Sequence, residues 1–262
     1  MDMPKYWKKQ DKPLFSDLSW NLPEQKSGSI SVIGGNSQSF SVVNRISSKL
    51  ARDYPVRDVI SVLPDSLKKS LPPVPGLVFC PSTTSGGFAK SSEITHALQS
   101  SDYNLIVGDL SKNSETAVAI ADAVAVTEKP TIIARDSVDL LTSDMPRLVE
   151  KGNITLICSM AQLQKIFRAV YYPKVLLLSM PILPVVEALH KFTLSYPCTI
   201  LTLHEGLILT ARDGEIYSTK LTQTHYSPLS LWDGSLAADI AALHLYSPSK
   251  PLESATAALL ID

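Results

Sequence analysis

Ile30-Ser31-Val32-Ile33-Gly34-Gly35-Asn36 is an apolar run that breaks on two glycines. It reads as a strand feeding a loop where a ligand can approach the backbone, because glycine has no Cβ and tolerates positive φ. Near the other end, Leu231-Trp232-Asp233-Gly234-Ser235-Leu236-Ala237-Ala238-Asp239-Ile240-Ala241-Ala242-Leu243 reads as a turn opening a helix. The free N–H groups and the dipole at a helix start favour an anion such as phosphate. The two stretches frame a length of chain suited to one nucleotide-handling domain.

Between them the pattern alternates. Strands are expected over 29–34, 57–63, 76–80, 103–108, 130–134 and 153–158, with a strand-like run at 174–179. Helices are expected over 38–52, 90–99, 114–127, 137–142, 160–170 and 181–195, with a short one after Pro64-Asp65. Short Val- and Ile-rich runs separated by helices predict a mostly parallel sheet covered on both faces. Strand segments at 198–203, 206–211 and 214–219 follow, and Asp213-Gly214 between the last two signals a hairpin. Helices over 234–246 and 251–260, the latter opened by Pro251, end the pattern. Residues 1–28 are polar and proline-punctuated, and they read as an extended arm beside a single domain over 29–262. Tyr6, Trp7, Phe15 and Trp20 in that arm need a surface to lie against.

Composition narrows the partners. The 262 residues carry 24 basic against 25 acidic side chains, a net charge of −1, which gives no basic field for nucleic acid. No run approaches the roughly 18 apolar residues that span a bilayer, and the N-terminal residues lack the apolar stretch of a leader. Cys80, Cys158 and Cys198 are odd in number and sit in apolar runs, so reduced buried thiols and a cytoplasmic setting are expected. The five histidines, His96, His190, His204, His225 and His244, show no metal-ligand spacing, and there is no CxxC or GxSxG.

With this layout the chain resembles the ribokinase-like superfamily, and within it the ADP/ATP-dependent NAD(P)HX dehydratases and their YjeF-type relatives. Ser31-Val32-Ile33-Gly34-Gly35-Asn36-Ser37 is similar to their "VIGGS" element, whose loop lines the substrate pocket; the two glycines equally suit a tight βα turn. Their "GPGLG" loop corresponds to Gly108-Asp109-Leu110-Ser111-Lys112-Asn113, which keeps only the first glycine and also suits a helix cap. Their "LDAD" corresponds to Ile133-Ala134-Arg135-Asp136, so Asp136 matches the second acid and Ala134 replaces the first. Their "LTPHPGE" falls on Ile157-Cys158-Ser159-Met160-Ala161-Gln162, without the histidine or the glutamate. Ser159 and Gln162 hydrogen-bond but deliver no proton near pH 7. The family's Lys-Gly is replaced within Ile200-Leu201-Thr202-Leu203-His204-Glu205-Gly206. Their "GTGD" falls on Leu231-Trp232-Asp233-Gly234, with the aspartate one residue early. Such a shift at a helix start turns a side chain by roughly 100°.

The resemblance implies a three-layer α/β/α ribokinase-like fold with a mostly parallel central sheet and a C-terminal β-hairpin. It places substrate-binding residues at Gly34, Gly35, Asn36, Gly108, Asp136 and Ser159, and nucleotide-binding residues at Trp232, Asp233, Gly234, Ser235 and Thr202. Asp233 is the candidate catalytic carboxylate, with helix capping as its other reading. The expected function is that of a diverged NAD(P)HX dehydratase-like protein, a lyase relative with eroded motifs and pseudoenzyme character, that retains weak binding of ATP or ADP or of a nicotinamide nucleotide. An active dehydratase, a small-molecule kinase, and a non-catalytic partner-binding module are the alternatives. A homo-oligomer built through apolar helix surface and the aromatic arm is also expected.

Overall fold

A computed structural model describes residues 3–10, 22–72 and 74–261. Ten strands form one sheet: β1 (Trp7–Lys9), β2 (Ser27–Ile33), β3 (Val56–Pro64), β4 (Leu77–Cys80), β5 (Tyr103–Ile106), β6 (Thr131–Ala134), β7 (Ile154–Ile157), β8 (Thr199–His204), β9 (Leu207–Arg212) and β10 (Glu215–Lys220). Their order is β1-β10-β9-β8-β7-β6-β5-β2-β3-β4. From β8 through β4 every neighbouring pair is parallel, whereas β8–β9 and β9–β10 are antiparallel. Every residue of β5, β6 and β7 is buried, as a strand covered on both faces requires.

The helices are α1 (Ser41–Asp53), α2 (Ser92–Ser100), α3 (Ser114–Val126), α4 (Asp136–Leu140), α5 (Met145–Leu148), α6 (Met160–Ala169), α7 (Ile182–Ser195), α8 (Ser235–Tyr246) and α9 (Pro251–Ala257). They divide between two cores. Ile94 and Leu98 of α2, Ile120 and Val124 of α3, Leu163 and Phe167 of α6, and Leu189 and Phe192 of α7 cover one face. Val43, Ile46 and Leu50 of α1, Leu236 and Ile240 of α8, and Ala255 of α9 cover the other. The three-layer α/β/α expectation and the C-terminal hairpin both hold.

Two details differ from the sequence reading. The run 174–179 forms no strand; it climbs outside the sheet between α6 and α7, with Leu178 80% exposed. An apolar run suits a strand only where an open sheet edge can receive it. Residues 7–9 are themselves part of the sheet, pairing in parallel with β10. Tyr6 stacks on His190 with ring centroids 3.7 Å apart, and Trp7 Nε1 donates to Ser218 Oγ at 2.8 Å. These two aromatics find their surface within the chain. Phe15 and Trp20 lie outside the described residues.

The three cysteines are free and buried, and burial pushes the Cys80 and Cys198 thiols up to about 12. Among the described residues no helix is long and apolar enough to cross a membrane.

Candidate functional site

Strand order sets the position of the site. β2, β3 and β4 run out in one direction along the sheet while β5 through β8 run out in the other, so the connections leaving β2 and β5 diverge between neighbours. A crevice at the carboxyl ends of the strands opens at such a switch point. The loops there are those of Gly34 and Gly108.

They are locked to each other. The Gly35 N–H donates to the Gly108 carbonyl at 3.1 Å, and a Cβ at residue 34 would stand 2.5 Å from that same oxygen. Asn36 Nδ2 donates to the Asp109 carbonyl at 2.6 Å, while its Oδ1 accepts the Gln38 N–H at 2.8 Å. Gly108 has φ +89°, and a Cβ there would run into the Asp136 carboxylate. Asp136 Oδ1 accepts the Asp109 N–H at 3.2 Å. Asp136 therefore joins the end of β6 to the loop after β5.

Beside it lies Arg135, which the sequence reading passed over. Its φ is +60° and its ψ −140°, a conformation that is nearly glycine-only and costs another residue about 1–3 kcal/mol. Its Nη2 donates to Asp109 Oδ1 at 3.2 Å, and Asp109 Oδ2 accepts Ser39 Oγ–H at 3.1 Å. Arg135 Nε is buried and makes no hydrogen bond; the nearest carboxylate oxygen, Asp136 Oδ1, is 3.8 Å away. A charged residue beside each chosen position at a strand end is the signal that could have found Arg135 and Asp109.

The helix opening after Trp232 reaches the same place. Gly234 has φ +100°, and a Cβ there would stand 2.6 Å from Ile46 Cδ1 and 3.6 Å from Arg135 Cδ. Asp233 Oδ1 accepts the Ser235 N–H at 2.8 Å, so the chain's own carboxylate covers the first amide of α8. Arg45 of α1 donates to the Asp233 carbonyl. Trp232 ends a 3₁₀ turn over Ser230–Trp232 and packs partly on the core beneath.

Contacts thus run unbroken from Gly34 through Gly108, Asp136 and Arg135 to Gly234. Ser159 and Thr202 stand apart. Ser159 caps α6 in a reciprocal pair with Gln162, whose Nε2 also donates to the Arg135 carbonyl at 2.8 Å. Thr202 is fully buried inside β8, opposite Leu209, with its hydroxyl unpartnered, so it presents no surface to a ligand. On the far side of Asp136, a cleft of about 640 Å³ is lined by Lys112, Asn113, Asp136, Asp139, Asp144 and Lys165. Among the described residues no group of three or more His, Cys, Asp or Glu could hold a metal ion.

The sequence matches no protein-family model and no curated protein. Solved structures do match. A ribokinase-like superfamily protein from Enterococcus faecalis aligns over 99% of this chain and 87% of its own, with a TM-score of 0.66 at 12% identity. The ADP/ATP-dependent NAD(P)H-hydrate dehydratase of Bacillus subtilis, co-crystallised with ATP and Mg²⁺, covers 91% of this chain and 83% of its own, with a TM-score of 0.55 at 12% identity. Bacillus subtilis pyridoxal kinase in its ADP complex covers 88% and 89%, with a TM-score of 0.52 at 12% identity. The fold is ribokinase-like. At these identities the likeness speaks for architecture.

Proposed function

We propose that this chain is a nucleotide-binding protein of ribokinase-like fold, diverged from the NAD(P)H-hydrate dehydratases, whose turnover of hydrated NAD(P)H or of a phosphoryl acceptor is very low. One observation carries the reading. Asp233, the candidate catalytic carboxylate, accepts the Ser235 N–H with Oδ1 at 2.8 Å, an Asx-type turn at the helix start that supports a structural role for it. Ser159 and Gln162, at the family's His and Glu positions, likewise serve as a capping pair. General acid/base groups typically supply 10²–10⁴-fold each, so the loss of several leaves mainly proximity. Binding outlives such losses, because the backbone groups of the Gly34, Gly108 and Gly234 turns do not depend on the replaced side chains. ATP or ADP is the ligand class we assign to it, in keeping with the nucleotides named for the dehydratase and the pyridoxal kinase.

Heating the protein with and without ADP or ATP tests the binding. A nucleotide at 100 times its dissociation constant should add about 2.7 kcal/mol of stability. Unchanged melting at millimolar ADP and ATP removes the reading. We also assign a homo-oligomeric state, supported by Val175, Leu177 and Leu178, which are 59%, 56% and 80% exposed on one short segment.

A further inference from the structure

We infer that Arg135 is a ligand-recognising residue that takes the phosphate of a phosphorylated ligand in the crevice between the Gly34 and Gly108 loops and the turn before α8. The inference rests on the nucleotide reading above and adds to it the side chain that meets the charge.

The backbone supplies the first argument. Residue 135 holds φ +60° and ψ −140°, which glycine adopts freely and an arginine does not. A chain that needed only this backbone course would be served better by glycine. The side chain is therefore what the position keeps.

The surroundings supply the second. Arg135 Nε is 3.3 Å from where a Cβ at residue 108 would stand, and Cδ is 3.6 Å from where one at residue 234 would stand. The arginine therefore lies against the Gly108 and Gly234 turns, beside the Asp136 carboxylate that fills the space next to Gly108. Its side chain is 24% exposed, with Nε buried, so part of the side chain reaches solvent.

The third argument is the count of donors. A guanidinium has five N–H groups in a planar fork, a geometry that matches a phosphate. Among the described residues its one hydrogen bond goes from Nη2 to Asp109 Oδ1 at 3.2 Å. Asp109 is held in turn by Ser39, and Asp136 is held by the Asp109 N–H and lines the cleft on the far side. The two carboxylates orient the arginine while leaving most of its donors unused. Arg45, which reaches the Asp233 carbonyl, adds a second cation on the same side.

Calorimetric titration of ADP, adenosine and inorganic pyrophosphate into the wild type, Arg135→Gln and Arg135→Gly tests this, with melting curves of all three proteins. We expect ADP and pyrophosphate to bind both variants at least tenfold more weakly, adenosine to bind all three alike, and Arg135→Gly to melt at or above the wild-type temperature. ADP affinity in Arg135→Gln within twofold of wild type overturns the inference and leaves the nucleotide reading standing. An Arg135→Gly protein that melts below wild type marks the arginine as a structural clamp and overturns it too. Pyrophosphate binding that is lost in Arg135→Gln, without ADP binding by the wild type, sustains the inference and removes the nucleotide reading. No binding of ADP or pyrophosphate by the wild type removes both.

Discussion

Asp233 and Asn differ in charge but accept the Ser235 amide equally well, which makes Asp233→Asn a clean separation of capping from catalysis. Asp233→Asn should alter the unfolding free energy measured in urea by no more than a few tenths of a kcal/mol, whereas Asp233→Ala should cost about 1 kcal/mol. Loss of a measured turnover in the Asn variant would show that the carboxylate acts in catalysis. His244 offers a second residue-level test. Burial, opposed by the Pro248 carbonyl, holds its pKa down at about 4, and Nδ1 lies 2.9 Å from the Tyr103 hydroxyl. The folded chain therefore binds fewer protons than the unfolded chain between pH 6.5 and about 4. Its contribution is complete above pH 6.5 and is lost as pH falls through that window, by as much as about 3 kcal/mol. Denaturant melts across pH 4–7 should show this slope in wild type, and it should shrink in His244→Gln.

At the scale of elements, one buried carboxylate joins two helices and a connecting segment. Asp239 of α8 accepts the Tyr54 hydroxyl at the end of α1 at 2.7 Å, pairs with Lys49 of α1 at 2.8 Å, and accepts the Tyr226 hydroxyl from the connection leading to Trp232. Its side chain is 5% exposed, so removing it leaves two hydroxyls without their acceptor and Lys49 with Asp53 as its remaining carboxylate. Asp239→Ala should cost on the order of 3–5 kcal/mol by chemical denaturation. Tyr226→Phe should cost only about 1 kcal/mol. Equal small losses in both would mean that the hub is loosely packed. The helices and strands around this hub were largely legible in the sequence, since their apolar spacing is local. The hub was not legible, because Lys49, Tyr54, Tyr226 and Asp239 lie up to 190 residues apart, as Lys49 and Asp239 do. Arg135 escaped for a related reason. Its meaning comes from a backbone angle and from two distant glycines, which no single-sequence pattern records.

For the whole molecule, the exposed run at 174–178 and the N-terminal strand give different expectations. Leu178→Glu should convert the proposed oligomer to a monomer by light scattering without lowering the melting temperature, because the residue is 80% exposed in the single chain. A wild-type monomer across the micromolar range would reject the assembly. Deleting residues 1–10 should instead lower the melting temperature, since it strips β1 from β10 and removes the Tyr6–His190 stack. It would also leave β10 as an uncovered edge, so aggregation on heating should rise.

The amino-acid sequence by itself determined the α/β alternation, the hairpin at Asp213-Gly214, the apolar setting of the cysteines and the glycine turns that follow β2 and β5. Those properties follow from side-chain period, turn chemistry and composition, which act over a few residues. Only the tertiary structure decided that 174–179 stays outside the sheet while Trp7–Lys9 enters it, because a strand forms only where a free edge accepts its backbone. Only the tertiary structure, too, gave Asp233 to the Ser235 amide and left Thr202 sealed within β8. It also laid Arg135 between Gly108 and Gly234, since which groups meet at a switch point depends on strand order, and strand order is a property of the assembled sheet.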